Sequence, residues 1–311
     1  MSRVIYYGGG GSGRPSGGFG VLLQHVRWLR DAGFDSRLQV LPGFRSEFEA
    51  VPADWLLPVA EPLGPGDHLV YPETDLRVVP AGRTATRWLF CQNHHFIFNT
   101  TPSSGDWSAL NLAGLLAGSR TIQRFVDRHF PEIPSTHLPC AIDEGYFQGG
   151  RGPRAPTIAV MPRKMPGEAK FIRGSFERRF PELVAIPWIE IDRMQRPEVA
   201  ACLARASIFL ALGKTEGLGL PPLEAMASGA MVVGFAGGGV EDYATAENGL
   251  WSMPGEFEEL VNNLALAVLL SRDGFAQFAR YRQAGLRTAR RYREEKARGA
   301  VLAFWRRQMG V

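Results

Sequence analysis

Three cysteines, four lysines and six histidines are all that this 311-residue chain holds of those types. Cys91, Cys140 and Cys202 are odd in number and form no close pair. That excludes a disulfide framework and a structural zinc site, and it fits a reducing compartment. No apolar run reaches the roughly 18–20 residues that a bilayer span needs. The chain enters a short β run at once, without the shape of a signal peptide. The cytoplasm is therefore the expected location, with its membrane face as the other place to consider. No Gly-x-Ser-x-Gly nucleophile elbow and no repeat array appear. Only 4 of the 35 basic residues are lysines, a bias of composition rather than of mechanism.

What is present reads as a globular chain, 45% hydrophobic and 21% charged. Its length suits two domains. The net charge of +4 is unevenly placed, because from Arg272 onward 11 Arg or Lys face only 3 Asp or Glu. Apolar residues recur between these arginines at core-like spacing, so a solvated arginine face on packed helices is the favoured reading. Peripheral contact with anionic lipid stays open. No nucleic-acid partner is expected.

The pattern is one of two successive α/β halves. Arg3–Tyr7 is a short β run, followed by a glycine-rich loop and an amphipathic helix over 19–32. Further strands are expected at 36–41, 68–71, 87–92, 112–118 and 136–141. The run Gln148-Gly-Gly-Arg-Gly-Pro-Arg-Ala-Pro156 is the clearest shift of composition and marks a linker. The pattern then restarts with strands at 157–161, 183–191, 208–212 and 231–235. Strands alternating with helices argue for parallel, doubly wound sheets. Ligands of such sheets bind beyond the carboxyl ends of the strands, so a cleft between two facing sheets is the expected site.

The densest chemistry lies in Glu216-Gly-Leu-Gly-Leu-Pro-Pro-Leu-Glu224-Ala-Met-Ala-Ser-Gly229. One carboxylate sits in a glycine-rich loop after a buried strand, and another follows just inside a helix. Pro221 and Pro222 suit the first turn of that helix, where backbone N–H groups have no internal partner. The amides of Gly219 and Leu220 then face whatever lies above the strand, at the positive end of the helix dipole. Gly229 provides the stop. Two acids beside an anion-binding helix start suit a ligand with both sugar hydroxyls and phosphate, as in a nucleotide-sugar.

This run resembles the E-x7-E signature of the retaining family 4 glycosyltransferases. Phe235-Ala-Gly-Gly-Gly-Val-Glu-Asp242 and Glu247-Asn-Gly-Leu-Trp251 follow that family's order, as do, more loosely, Pro15-Ser-Gly-Gly18, Gly118-Ser119 and Leu138-Pro-Cys-Ala-Ile-Asp143. The resemblance implies a GT-B fold, two facing Rossmann-like doubly wound domains with an interdomain cleft. Residues 1–150 would take the acceptor and 151–290 the nucleotide-sugar donor, with 291–311 a helix packing back on the first domain. It also implies roles. Glu224 would accept from the ribose hydroxyls, which ionised carboxylates suit. Glu216 would face the transferred sugar, and the amides of Gly217, Leu218, Gly219 and Leu220 would hold its hydroxyls and the phosphate. Arg163, just after a strand, would carry the diphosphate charge with Lys164 or Lys170. Met165-Pro-Gly-Glu-Ala169 departs from the family's spacing here, so the lysine stays open. Of His94 and His95, after the strand at 87–92, His95 is preferred as the one near the donor's sugar. Gly17 and Gly18 would approach phosphate or acceptor. Neither metal nor other cofactor is expected, since cationic side chains and helix amides can meet the diphosphate.

Several patterns point elsewhere and fail. Gly8-Gly-Gly10-Gly-Ser-Gly13 matches G-x-G-x-x-G, but Arg14–Gly18 prolongs the loop, and the second strand ends without the acid that a dinucleotide site needs. Gly213-Lys-Thr215 looks like the end of a phosphate loop, yet Ile208 stands where its first glycine belongs. Asn99-Thr-Thr101 is a glycosylation sequon without consequence in a cytosolic chain. The readings set beside a transferase are a nucleotide-sugar epimerase or hydrolase, and a non-catalytic binding protein on the same fold.

Overall fold

The structure is a computed structural model that describes residues 2–9, 17–42, 51–74, 84–99, 107–149 and 154–311. Most of the Gly8–Gly13 pattern, the end of the Asn99 sequon and the middle of the expected linker lie outside the described residues. The chain divides into two compact units, residues 1–140 with 295–311, and residues 141–294.

The first unit holds β1 (Val4–Gly9), α1 (Gly17–Asp31), β2 (Ser36–Val40), β3 (Leu56–Pro58), β4 (His68–Pro72), β5 (Thr86–Cys91), β6 (Leu112–Ala117), α2 (Arg120–His129) and β7 (Ser135–His137). All strands pair in parallel, in the order β3-β2-β1-β4-β5-β6-β7. The period of two along β1 decides what each face buries. Ile5 and Tyr7 pack with Leu69, Leu89, Leu115, Ile122 and Val126. Tyr6 points the other way, where its hydroxyl accepts the Trp305 indole N–H at 3.0 Å and meets His25 Nδ1 at 3.2 Å. Burial pushes His25 down to about 3, so this ring is a neutral packing group. Trp305 lies on the C-terminal helix (Glu294–Met309), which buries Ala297, Val301, Phe304 and Trp305 and carries its arginines elsewhere.

The second unit holds β8 (Ile158–Val160), α3 (Pro166–Arg179), β9 (Trp188–Glu190), α4 (Arg196–Arg205), β10 (Ile208–Ala211), α5 (Leu220–Ala227), β11 (Met231–Phe235), β12 (Gly249–Ser252), α6 (Phe257–Arg272) and α7 (Ala276–Ala289). Its sheet is also parallel, ordered β12-β11-β10-β8-β9. Ile158, Ile208, Leu210, Met231 and Val233 close one core with Leu260, Leu264 and Val268 of α6.

Two expected strands need correction, the first being that at 136–141, which is β7 and ends at His137 before Pro139. The strand read over 183–191 is a 3-10 turn at Pro181–Leu183 followed by the three-residue β9. Pro187 cannot donate to a ladder, so pairing begins only after it. The strands β3 and β12 escape the sequence pattern because they are edge strands of three and four residues.

Each sheet has one place where the strand order turns. In the first it lies between β1 and β4, and in the second between β8 and β10. Loops leaving the carboxyl ends of strands on either side of such a point diverge and leave a crevice.

Candidate functional site

The second unit's crevice is bordered by two loops. After β8 comes a 3-10 turn, Pro162–Lys164, and then the first turn of α3. After β10 comes the loop 212–219, ending at the N-terminus of α5. Lys164 Nζ donates to both carboxylate oxygens of Glu216, each at 2.8 Å. Lys214 Nζ donates to Glu168 Oε1 at 2.9 Å and lies 5.3 Å from the centre of the Phe257 ring. The Lys214 hydrogen bond holds the Glu168 carboxyl below its usual range. The structure therefore brings Glu216 and Lys164 together. Arg163 is exposed in the same turn as Lys164 and has no ion-pair partner among the described residues. Lys170 lies instead on an exposed face of α3 with Gly167, Phe171 and Arg178.

Backbone contacts hold the loop as well as these side-chain pairs. Gly239 N–H donates to the Glu216 carbonyl at 2.7 Å. A Cβ on Gly239 would overlap the Gly217 carbonyl, one on Gly238 the Glu216 carbonyl, and one on Gly237 would come 2.8 Å from the Lys214 carbonyl. Three successive glycines thus let the 237–239 turn lie directly on the loop. Gly219 adopts φ +79° and caps α5 without a side chain, while the Tyr243 hydroxyl donates to its carbonyl at 2.7 Å. Gly217, Leu218 and Gly219 are buried. Because Pro221 and Pro222 lack N–H groups, only Leu220 and Leu223 bring amides to the first turn of α5. The helix start thus lies beside two lysines, each paired with a carboxylate.

Glu224 lies on the next turn of α5 and keeps part of its surface accessible. Burial of the carboxyl pushes it up to about 7; the Arg196 charge opposes this and the Asp143 charge adds to it. Arg196 Nη1 donates to Asp143 Oδ2 at 2.8 Å, and its guanidinium lies 5.1 Å from the Tyr146 ring centre and 5.9 Å from that of Phe147. Sequence reasoning missed Arg196. The signal available was Asp143, an acid in a segment quoted only for its likeness to a family.

A second cluster belongs to the first unit. The Glu73 carboxylate, buried at the end of β4, accepts the N–H groups of Gln92 and Asn93 at 3.0 and 2.9 Å. Burial raises it to about 7, against these hydrogen bonds. Asn93 Oδ1 then accepts the His95 N–H at 3.2 Å and starts the 3-10 turn His94–Phe96. His94 packs 4.8 Å from the Phe125 ring, and burial, then His95 and His129, lower it to about 4. His95 is exposed and His94 less so, with the two rings 4.2 Å apart. Gly17 and Gly18 open α1, and a Cβ on Gly18 would stand 3.1 Å from Gln92 Oε1. Nothing in the sequence pointed to Glu73.

Residues 191–282, which carry Glu216 and Glu224, match the family described as Glycosyl transferases group 1. The chain is 26% identical over 245 residues to an alpha-1,6-glucosyltransferase of Actinobacillus pleuropneumoniae serotype 7, covering 72% of this chain and 70% of that protein. Its fold is similar to that of a sucrose-phosphate synthase of Thermosynechococcus elongatus, with a TM-score of 0.72 at 12% identity over 100% of both chains. It is also similar to Anabaena HepE, solved with UDP and glucose, with a TM-score of 0.65 at 11% identity over 97% of this chain and 99% of that one. The fold is GT-B, and the family match and the relative together support a glycosyltransferase.

Proposed function

We propose that the protein is a retaining glycosyltransferase of the family 4 type, moving a sugar from a nucleoside-diphosphate sugar to a hydroxyl acceptor. The observation that carries this reading is the Lys164–Glu216 contact at the β8/β10 switch point, beside the open N-terminus of α5. A cation, a carboxylate and helix amides at one spot suit a ligand that is anionic on one side and hydroxylated on the other. Glu224, one helical turn further, takes the ribose. Glu216 takes the sugar hydroxyls, with the amides around Gly217–Leu220 nearby.

Chemically, the bond between the anomeric carbon and the diphosphate oxygen breaks while Arg163 and Lys164 stabilise the charge growing on the leaving group. Such electrostatic stabilisation usually contributes most to catalysis of this kind. The departing phosphate oxygen takes the acceptor's proton on the same face as the new bond forms, so configuration is kept. These cations serve the diphosphate without a metal. We assign the acceptor to the first unit and His95 to the donor's sugar; the start of α1 at Gly18 lies beside Gln92, three residues before His95. HepE was solved with UDP and glucose, which makes UDP-hexoses the first donors to test. We place the reaction in the cytoplasm, in glycan, polysaccharide or glycolipid assembly, with the arginines after Arg272 available to an anionic membrane surface.

Proton NMR of the product tests the mechanism. The donor's anomeric configuration is expected in the product, and inversion contradicts the proposal. Incubation with donor alone should leave it essentially intact; rapid free sugar or an isomer would instead identify a hydrolase or epimerase.

A further inference from the structure

Two Lys–Glu pairs cross the gap between the segments that follow β8 and β10, and they are reciprocal. Lys164 of the first segment reaches Glu216 of the second, and Lys214 of the second reaches Glu168 of the first. Their surroundings differ. The Lys164 side chain is 52% exposed, whereas that of Lys214 is 28% exposed and lies over the Phe257 ring. Glu168 belongs to the first turn of α3 and Phe257 opens α6, so Lys214 ties the loop to two helices.

We propose that Lys214 is a positioning residue for this site. Its pair with Glu168 braces the loop 213–219 while the Lys164–Glu216 pair exchanges with donor. The proposal rests on the reading of the crevice as a nucleotide-sugar site. In the donor-free protein the four charges cancel, and Glu216 occupies the lysine that a diphosphate would use. A donor diphosphate draws Lys164 away rather than Lys214, because Lys164 is the more exposed lysine and an exposed ion pair is held weakly. Glu216 is then released to the sugar hydroxyls, and the contact that joined the two segments there is lost. Lys214 stands two residues before Glu216 in the same loop. Its grip on Glu168 keeps the Glu216 carboxylate and the Gly217–Leu220 backbone in register with α3 through that exchange. Arg163 has no such internal carboxylate among the described residues, so it meets the incoming phosphate directly.

The test uses the full chain as wild type, K214M, K214E and the charge-exchanged K214E/E168K. Two readouts are taken, amide hydrogen exchange of the 213–219 segment without donor, and kcat and KM with donor. K214M and K214E should exchange faster in that segment. They should lose about 10–10²-fold in kcat, the scale of a small misplacement of reacting groups, with a smaller change in donor KM. K214E/E168K should return both readouts to within about threefold of wild type, since the brace is restored with its signs reversed. Unchanged exchange in K214M overturns the proposal even if no donor has been found, which separates this failure from failure of the donor reading. A double variant as impaired in kcat as K214E, with normal exchange, also overturns it, because Lys214 would then act on the donor itself. K214M serves as the reading of record where K214E does not fold.

Discussion

Lys164 and Glu216, 52 positions apart in the chain, meet with the ammonium 2.8 Å from each carboxylate oxygen. The pair joins the loop after β10 to the turn after β8, while the glycine turn 237–239 packs on the loop from another side. On the proposed function, these are two ligand-binding groups that satisfy one another until a ligand arrives.

It follows that Glu216→Gln should separate binding from turnover. Removing the charge frees Lys164, so the affinity for a nucleoside diphosphate without sugar should rise severalfold. The kcat for transfer should fall by about 10²-fold, the usual size for losing one transition-state contact. Calorimetry and steady-state rates measure the two arms. Weaker diphosphate binding in the variant would show that Glu216 does not hold the lysine back.

Arg163→Ala should cost about 10²-fold or more in turnover if the guanidinium carries leaving-group charge. The side chain is exposed and makes no ion pair among the described residues, so the melting temperature should barely move. A near-native rate would remove it from the mechanism.

Glu224 gives a pH signature. With its carboxyl raised to about 7, half of the free protein carries it protonated near neutrality. Only the ionised form accepts from both ribose hydroxyls, so nucleotide-sugar affinity should climb between pH 6 and 8 and then level. The diphosphate diester of the donor does not titrate in that window. For stability the sign is opposite. The folded value lies above the ordinary 4.5, so the group's contribution is full below that value and is lost as pH rises towards 7. Glu224→Gln should flatten both profiles, as seen by titration calorimetry and thermal melts. A pH-independent wild-type affinity contradicts the assignment.

Gly239→Ala should disturb the site from behind. Its Cβ would overlap the Gly217 carbonyl, so the turn must lift off the loop or the loop must shift. A stability loss of about 1–3 kcal/mol is typical of such overpacking. Donor-induced stabilisation in a thermal melt should disappear with it. A variant that keeps both would mean that the glycine turn is not the support of the loop.

Much of this was legible in the sequence because it was local. The strand Met231–Phe235 and the proline-marked start of α5 follow from runs and fixed dihedrals, which one stretch of chain contains. Glu216 and Glu224 stood out for the same reason. What stayed hidden joins distant segments. That Lys164 in its short turn meets the β10 loop, while Lys170 lies on an exposed face of α3, is something spacing alone does not encode. Lys214–Glu168, Arg196–Asp143 and the Glu73 hold on the Gln92–Asn93 backbone each depend on strand order. Short edge strands such as β3 and β12 carry too few residues for an alternation to show.

The central claim is that a nucleotide-sugar binds at the β8/β10 switch point. Titration calorimetry of UDP-, GDP- and ADP-glucose into wild type, Arg163→Ala and Glu224→Ala tests it most directly. One of the three should bind wild type and lose tenfold or more in both variants, about 1.4 kcal/mol or more. Binding that is equal in all three proteins would place the nucleotide elsewhere and contradict the account.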